Sequence, residues 1–398
     1  MIGRYVICWQ HFCYQQIFYD VINRRCSVII RIKESCRPVF AKSKIIFGFQ
    51  SDSIEMDNDP EISDFIRLLA KGCSLEELYE KAAFEKNDVD EMIEALDDYA
   101  LLEDIEKYDR YAMVDSRYKT NLQHFSCYAN LHTSKYEFQQ RLNEATVFLI
   151  GAGGSILTAL ALVGMGIGKL ILLDCDRIET GNLSRQLIYT EKDIGRRKTD
   201  AAKEALQNIN GNLEIETVDM RVENAACLMP YVEKADIVIN AIDTPPIHAA
   251  RWVNYACMKA GKPLLQGGVS PQTIVVDSFT REDGCFDCYL LSALRQDPAF
   301  ADQLKFLLEN NDDTLDFNTS YAPNISLLAW ALGSEAGKRI ARYAEPLVIS
   351  DSLRINVDTL EKKWINNHRK MTECPSCSGR FDASEPVLLE EIMELSRK

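Results

Sequence analysis

Two cysteine pairs, Cys285-Phe-Asp-Cys288 and Cys374-Pro-Ser-Cys377, stand downstream of the glycine run Gly151-Ala-Gly-Gly154. A pair of thiolates two residues apart can grip one ion from a tight turn. A second pair completes a tetrahedral four-sulfur zinc site. The glycine run follows the apolar stretch Val147–Ile150 and precedes a helical pattern, the setting in which backbone amides can approach a phosphate. Together these features predict a nucleotide-binding α/β domain whose chain end is pinned back by a metal.

A chain of 398 residues has room for two or three domains. No run of about 18 apolar residues is present, which predicts no transmembrane helix and no membrane partner. The aromatic N-terminus is interrupted by Arg4, Gln10, His11 and Gln15, so it makes a poor signal peptide. Thirteen cysteines without such a signal read as reduced thiols and metal ligands, which places the protein in the cytoplasm. The net charge of −15 argues against nucleic acid as a partner, because phosphate backbones need basic surface. That charge is uneven: residues 1–50 hold eight Lys or Arg against two acidic residues, whereas residues 51–110 are acidic. The contrast predicts a separate N-terminal unit.

Within that unit, Cys26–Lys33 and Ser43–Gln50 are β-branched or aromatic runs on either side of Pro38, as in a hairpin. Three helical patterns follow. The first, 60–70, carries Ile62, Phe65, Ile66 and Leu69 at helical spacing; the second opens on a Ser74/Glu77 capping box; Asn87 can cap the third. Strands then three short helices predict a small α+β winged-helix module over residues 1–105. A polar linker over 106–135 leads into the second domain, 136–398. There strand and helix patterns alternate, the mark of a Rossmann-like, mostly parallel sheet with helices on both faces. Strands are expected at 147–150, 170–173, 214–218, 237–239, 264–266 and 274–279, and helices near 156–165, 198–209 and 247–260.

The second strand ends in Asp174-Cys-Asp176, where a carboxylate suits a ribose hydroxyl. To this point NAD and ATP fit equally. The next segment favours ATP: Asn182, Arg185 and Gln186, then Lys198, gather cationic and amide donors beyond the ribose carboxylate. A triphosphate needs them as pyrophosphate leaves. Asp243 closes the apolar run Ile237–Ile242, either as a magnesium ligand or as a helix cap ahead of Pro245. His124, His132 and His248 read as structural, Asn324 as a cap, and Cys227 and Cys257 as buried helix residues.

Gly151, Gly153, Gly154, the Asp176–Gln186 segment, Lys198, Asp243 and the cysteine tetrad resemble the E1-like adenylating family that includes ThiF and MoeB. The resemblance covers about Arg117 to Gly379. It implies ATP, Mg2+ and Zn2+ as cofactors, with the ribose at Asp176 and the phosphates at Asn182, Arg185, Gln186 and Lys198. It also implies magnesium at Asp243, zinc at Cys285, Cys288, Cys374 and Cys377, and a homodimer. Arg185, Lys198 and Asp243 would then carry catalysis. Two departures stand out: Ser155-Ile156 replaces a third glycine, and the family arginine ahead of the first strand falls at Thr120, near Arg117 and Lys119. No cysteine occurs between Cys288 and Cys374, where thioester-forming relatives keep a reactive one. The segments Asn182–Tyr189, Gly284–Cys288 and Tyr321–Asn324 resemble the peptide-modifying members MccB and PaaA. That resemblance implies adenylation of a precursor-peptide carboxylate in antibiotic biosynthesis, with the leader held by strand addition to a basic edge of the N-terminal module. Activation of a ubiquitin-like sulfur carrier is the alternative. A peptide-binding protein with a decayed site and an NAD-dependent oxidoreductase explain fewer of these residues.

Overall fold

The computed structural model describes residues 28–48, 53–105, 115–310, 321–342, 352–365, 369–378, 381 and 383–397. The expectations for residues 1–27 lie outside them. Two compact units divide between Gln139 and Gln140.

The N-terminal unit contains two three-stranded antiparallel sheets. One is built from β1 (Ile29–Ile32), β5 (Cys73–Ser74) and β6 (Leu102–Asp104), with β1 in the middle. The other runs β2 (Val39–Phe40), β3 (Lys44–Phe47), β4 (Ile54–Asp57). The expected hairpin between the first two apolar runs is therefore wrong: β1 pairs with distant β5 and β6, and β3 pairs with its neighbours β2 and β4. Alternation explains the choice, since Ile30 and Ile32 of β1 and Ile45 and Phe47 of β3 all enter one core and need separate partners to do so. Three helices complete that core: α1 (Pro60–Lys71), α2 (Leu75–Lys81) and α3 (Lys86–Asp98). Ser74 and Glu77 form the capping box reciprocally. Helix α3 starts one residue before Asn87, which is thus inside the helix and not its cap. Residues expected as linker include α4 (Lys119–Ser126), and α5 (Lys135–Glu144) carries the division between the units.

The second unit is an eight-stranded sheet in the order β14-β13-β12-β11-β10-β7-β8-β9. Strands β7 (Thr146–Ile150), β8 (Lys169–Leu173), β9 (Glu214–Val218), β10 (Ile237–Asn240) and β11 (Leu264–Val269) are parallel. Strands β12 (Thr273–Phe279), β13 (Ser352–Asn356) and β14 (Lys362–Ile365) extend it antiparallel. The central parallel strands β7, β8 and β10 are buried on both faces, which is why they read as unbroken apolar runs. Helices α6 (Ile156–Met165), α7 (Lys198–Ile209), α8 (His248–Ala260), α9 (Phe286–Gln296), α10 (Pro298–Asn310), α11 (Ala322–Arg342) and α12 (Leu389–Ser396) flank the sheet.

Helix α6 is apolar on nearly every side and packs along α11, which itself lies on the sheet. The approach is close. A Cβ at Gly333 would lie 2.7 Å from that of Ala161, and one at Gly337 would lie 2.5 Å from the Met165 sulfur. Thr158 donates to the Ala329 carbonyl at 2.9 Å and fixes the register of the pair. On the other face, Phe148, Ile150, Ile171 and Leu173 share a core with α8, α9, α12 and the four cysteines. Among the described residues no helix is long and apolar enough to cross a membrane.

Candidate functional site

The site lies where β7, β8 and β10 end, the carboxyl edge at which open α/β sheets bind ligands. Gly151 leaves β7 with φ +104°, a left-handed conformation that favours glycine. A Cβ there would lie 3.0 Å from the Ala241 carbonyl oxygen, so the glycine lets the loop press against the end of β10, two residues before Asp243. Gly154 faces Ile325 of α11 so closely that a Cβ would lie 2.6 Å from it. In place of the missing third glycine, the Ser155 hydroxyl donates to the Gly151 carbonyl at 3.0 Å and closes the loop before α6.

The two carboxylates after β8 play different parts. Asp174 is used inside the protein, accepting the Ala152 amide at 2.7 Å and the Asp176 amide at 2.8 Å. It shapes the glycine loop and points Asp176 outward. Asp176 is exposed and accepts the Lys198 ammonium at 2.7 Å, while the Lys198 amide donates to its carbonyl. Tyr189, to which the sequence assigned no role of its own, ties these parts together. Its hydroxyl donates to the Ala152 carbonyl at 2.7 Å and lies 3.2 Å from that of Lys198. Burial pushes the Tyr189 phenol far up, so it remains protonated.

Gln186 is 3% exposed, and its side-chain oxygen has no hydrogen-bond partner among the described residues. Its nitrogen lies 3.4 Å from where a Gly153 Cβ would stand, so the amide abuts the glycine loop. An orphaned buried acceptor beside such a loop is a group that a ligand or water donor can satisfy. Arg185 is half-buried and donates to the Gly181 carbonyl at 3.0 Å, while the Asn182 oxygen accepts the Glu179 amide. Asp243 is exposed, with the Thr244 hydroxyl 3.3 Å from it. Its carboxylate is thus open to a cation.

The four cysteines come together behind the sheet. Their sulfurs all lie within 4.8 Å of one another, with Cys285–Cys374 at 3.5 Å and Cys288–Cys377 at 3.4 Å. A zinc–sulfur distance near 2.3 Å implies tetrahedral edges of about 3.8 Å, so the cluster fits such an ion. All four residues are buried. Burial pushes the Cys285 thiol up, while hydrogen bonds from neighbouring thiols, Cys285 first, hold Cys288 down.

The remaining candidates have local partners. His132 sits 3.8 Å from Asp97, His124 packs against Tyr128, and His248 packs against Trp252. Arg117 faces Asp115 at 3.7 Å. Cys257 is buried on α8, as expected. Cys227 corrects the expectation: it lies on a 3-10 turn, half-buried, with its amide donating to the Asn224 side-chain oxygen and its thiol to the Asn224 carbonyl.

A ThiF family model matches residues 126–378, well over half of the chain. The chain belongs to the ThiF family. This ThiF family member is 34% identical over 155 residues to the adenylyltransferase and sulfurtransferase MOCS3 of Culex quinquefasciatus, covering 38% of this chain and 34% of that protein. It is 32% identical over 154 residues to the sulfur carrier protein ThiS adenylyltransferase of Escherichia coli K12, covering 38% of this chain and 60% of that one. The match thus spans between a third and three-fifths of these relatives' length. The crystal structure of E. coli MccB superposes with a TM-score of 0.70 at 23% identity, covering 89% of this chain and 98% of MccB. At that identity the likeness shows a shared fold.

Proposed function

We propose that this chain adenylates the carboxylate of a precursor peptide with ATP and then passes the activated acyl group directly to a nucleophile. One observation carries the peptide reading over the sulfur-carrier reading. The likeness to MccB covers 89% of the chain, more than the second unit alone can supply, so it takes in the N-terminal unit as well. MccB has been solved with ATP and with the N-formylated peptide MccA. The stretches matched by adenylyltransferases of the MOCS3, ThiS and molybdopterin-synthase type cover between 32% and 58% of the chain.

In this reading the peptide carboxylate oxygen attacks the α-phosphorus and the bond to pyrophosphate breaks. A second nucleophile then attacks the acyl carbon, displaces AMP and loses its proton to water, giving a ring, an amide or a dehydrated product. Arg185 and Lys198 neutralise the departing pyrophosphate, Gln186 and Asn182 hold phosphate oxygens, and Asp176 holds the ribose. The glycines leave room for the phosphates against the backbone. Asp243 would hold magnesium, which supplies charge to the phosphates. The cysteine tetrad would hold zinc in a closed structural site.

Leader capture falls to the N-terminal unit. Its sheet β2-β3-β4 has two edges of opposite sign: β4 carries Glu55 and Asp57, while β2 is flanked by Arg37 and Lys42. The expected basic edge would be that of β2, while β4 comes from the acidic segment and leaves the opposite edge acidic. A strand-adding leader meets one sign on each edge. The cysteine-free stretch 289–373 fits direct transfer, and the abundance of thiols fits a reducing cytoplasm.

The sulfur-carrier reading has a specific support in the sulfurtransferase and sulfur-carrier adenylyltransferase activities of these relatives. The two are separated by incubating the protein with ATP, magnesium and either candidate precursor peptides, with and without leader, or a small carrier protein ending in Gly-Gly. Leader-dependent pyrophosphate release with a mass change in the peptide supports our proposal. Turnover on the carrier alone contradicts it.

A further inference from the structure

We infer that the four-cysteine cluster sets the position of the Asp243 loop through a buried ion pair, with Arg251 as the positioning residue. The inference rests on the reading of Asp243 as a cation-binding group of the adenylation site.

Asp287 sits between the ligand-spaced Cys285 and Cys288 and is fully buried. Its two oxygens receive Arg251 in a fork, Nε to Oδ1 at 2.8 Å and Nη2 to Oδ2 at 3.2 Å. Arg251 is 2% exposed and lies in the first turn of α8. The Ser376 hydroxyl, between Cys374 and Cys377, donates to the same carboxylate. One carboxylate therefore joins both cysteine turns to one helix. One turn further along α8, the Asn254 oxygen accepts the Phe286 amide at 2.9 Å, a second buried link to the same cysteine turn.

The start of α8 is continuous with the loop that carries Asp243. Ala249 donates to the Pro245 carbonyl at 3.0 Å, His248 to that of Pro246 at 2.7 Å, and Arg251 to that of Ile247 at 2.9 Å. Ile247 adopts φ +64° with ψ −47°, a positive-φ conformation that a β-branched residue holds only when its surroundings fix it. A buried guanidinium–carboxylate pair is costly to desolvate and is not needed merely to fill space, since apolar residues of similar volume do that as well or better. What the pair does supply is direction: a forked contact fixes α8 relative to the cysteine turns. Gathering the four sulfurs thus orients α8, and α8 orients the Asp243 loop.

The test is amide hydrogen exchange on the zinc-loaded full chain, comparing wild type with the double variant Arg251→Met/Asp287→Leu, which removes both charges together. We expect exchange in residues 241–250 to rise about tenfold, with the four cysteines still protected from a thiol reagent. Ser376→Ala, which loosens only the second cysteine turn, is expected to give a smaller rise in the same segment. Unchanged exchange at 241–250 in both variants overturns the inference. Magnesium dependence of ATP binding, followed by calorimetry, separates the two readings. Loss of loop protection in the double variant, together with a wild type that never binds ATP, leaves the coupling standing and removes the adenylation reading.

Discussion

The Lys198 ammonium and the Asp176 carboxylate meet at 2.7 Å, the lysine nearly buried and the carboxylate 62% exposed. The two side chains proposed for phosphate and ribose therefore neutralise each other, and nucleotide must exchange one partner for another. Because Lys198 opens α7, its ammonium is held near the glycine loop by both its side-chain and its backbone contact with Asp176.

Lys198→Ala is expected to lower the rate of ATP–pyrophosphate exchange by about 10²-fold or more, since it removes charge that matters most as pyrophosphate leaves. Asp176→Ala is expected to raise the KM for ATP with a smaller effect on kcat, the signature of lost ground-state binding. Steady-state kinetics on both variants check the split.

Tyr189→Phe removes a hydroxyl that holds the Ala152 carbonyl. The change leaves a buried acceptor without its donor and should cost about 1–3 kcal/mol of stability. Chemical denaturation of the second unit's transition measures it.

Burial, followed by the charge of Arg251, lowers the pKa of His248 below its usual 6.5, with Glu390 opposing. The unfolded chain then takes up a proton on His248 more readily than the folded one. Its contribution to stability is present above pH 6.5 and is lost as pH falls through the window down to the lowered value. Thermal melts between pH 5 and 7.5 should show a shallower acid loss for His248→Gln than for wild type.

The sheet that carries the candidate site was legible because its central parallel strands are buried on both faces and so write continuous apolar runs, Val147–Ile150 and Ile237–Ile239 among them. The glycine loop, the carboxylates after β8 and the cysteine spacing were legible because each needs a fixed residue at a fixed offset. Tyr189 was not, because a tyrosine in a polar loop carries no spacing signal; only its approach to Ala152 reveals its part. Arg251 and Asp287 were hidden for the same reason, 36 residues apart with no pattern linking them. The pairing of β1 was missed because a strand's partner is chosen by the core it must reach.

Lys33 shows how far such a choice reaches. It is 1% exposed, and its ammonium donates to the carbonyls of Ser126 at 2.6 Å, Ala129 at 2.5 Å and Ala100. Burial lowers its pKa. Lys33→Met fills the space but strands three carbonyls, and should destabilise the N-terminal unit by about 3 kcal/mol. Urea denaturation followed on that unit's transition tests this.

The central claim is that a peptide carboxylate attacks the α-phosphorus of ATP. It is tested most directly by labelling that carboxylate with 18O and analysing the nucleotide released during turnover. The account predicts AMP carrying one 18O, because the carboxyl oxygen leaves with AMP when the second nucleophile attacks. Unlabelled AMP, or release of ADP and phosphate in its place, would contradict it.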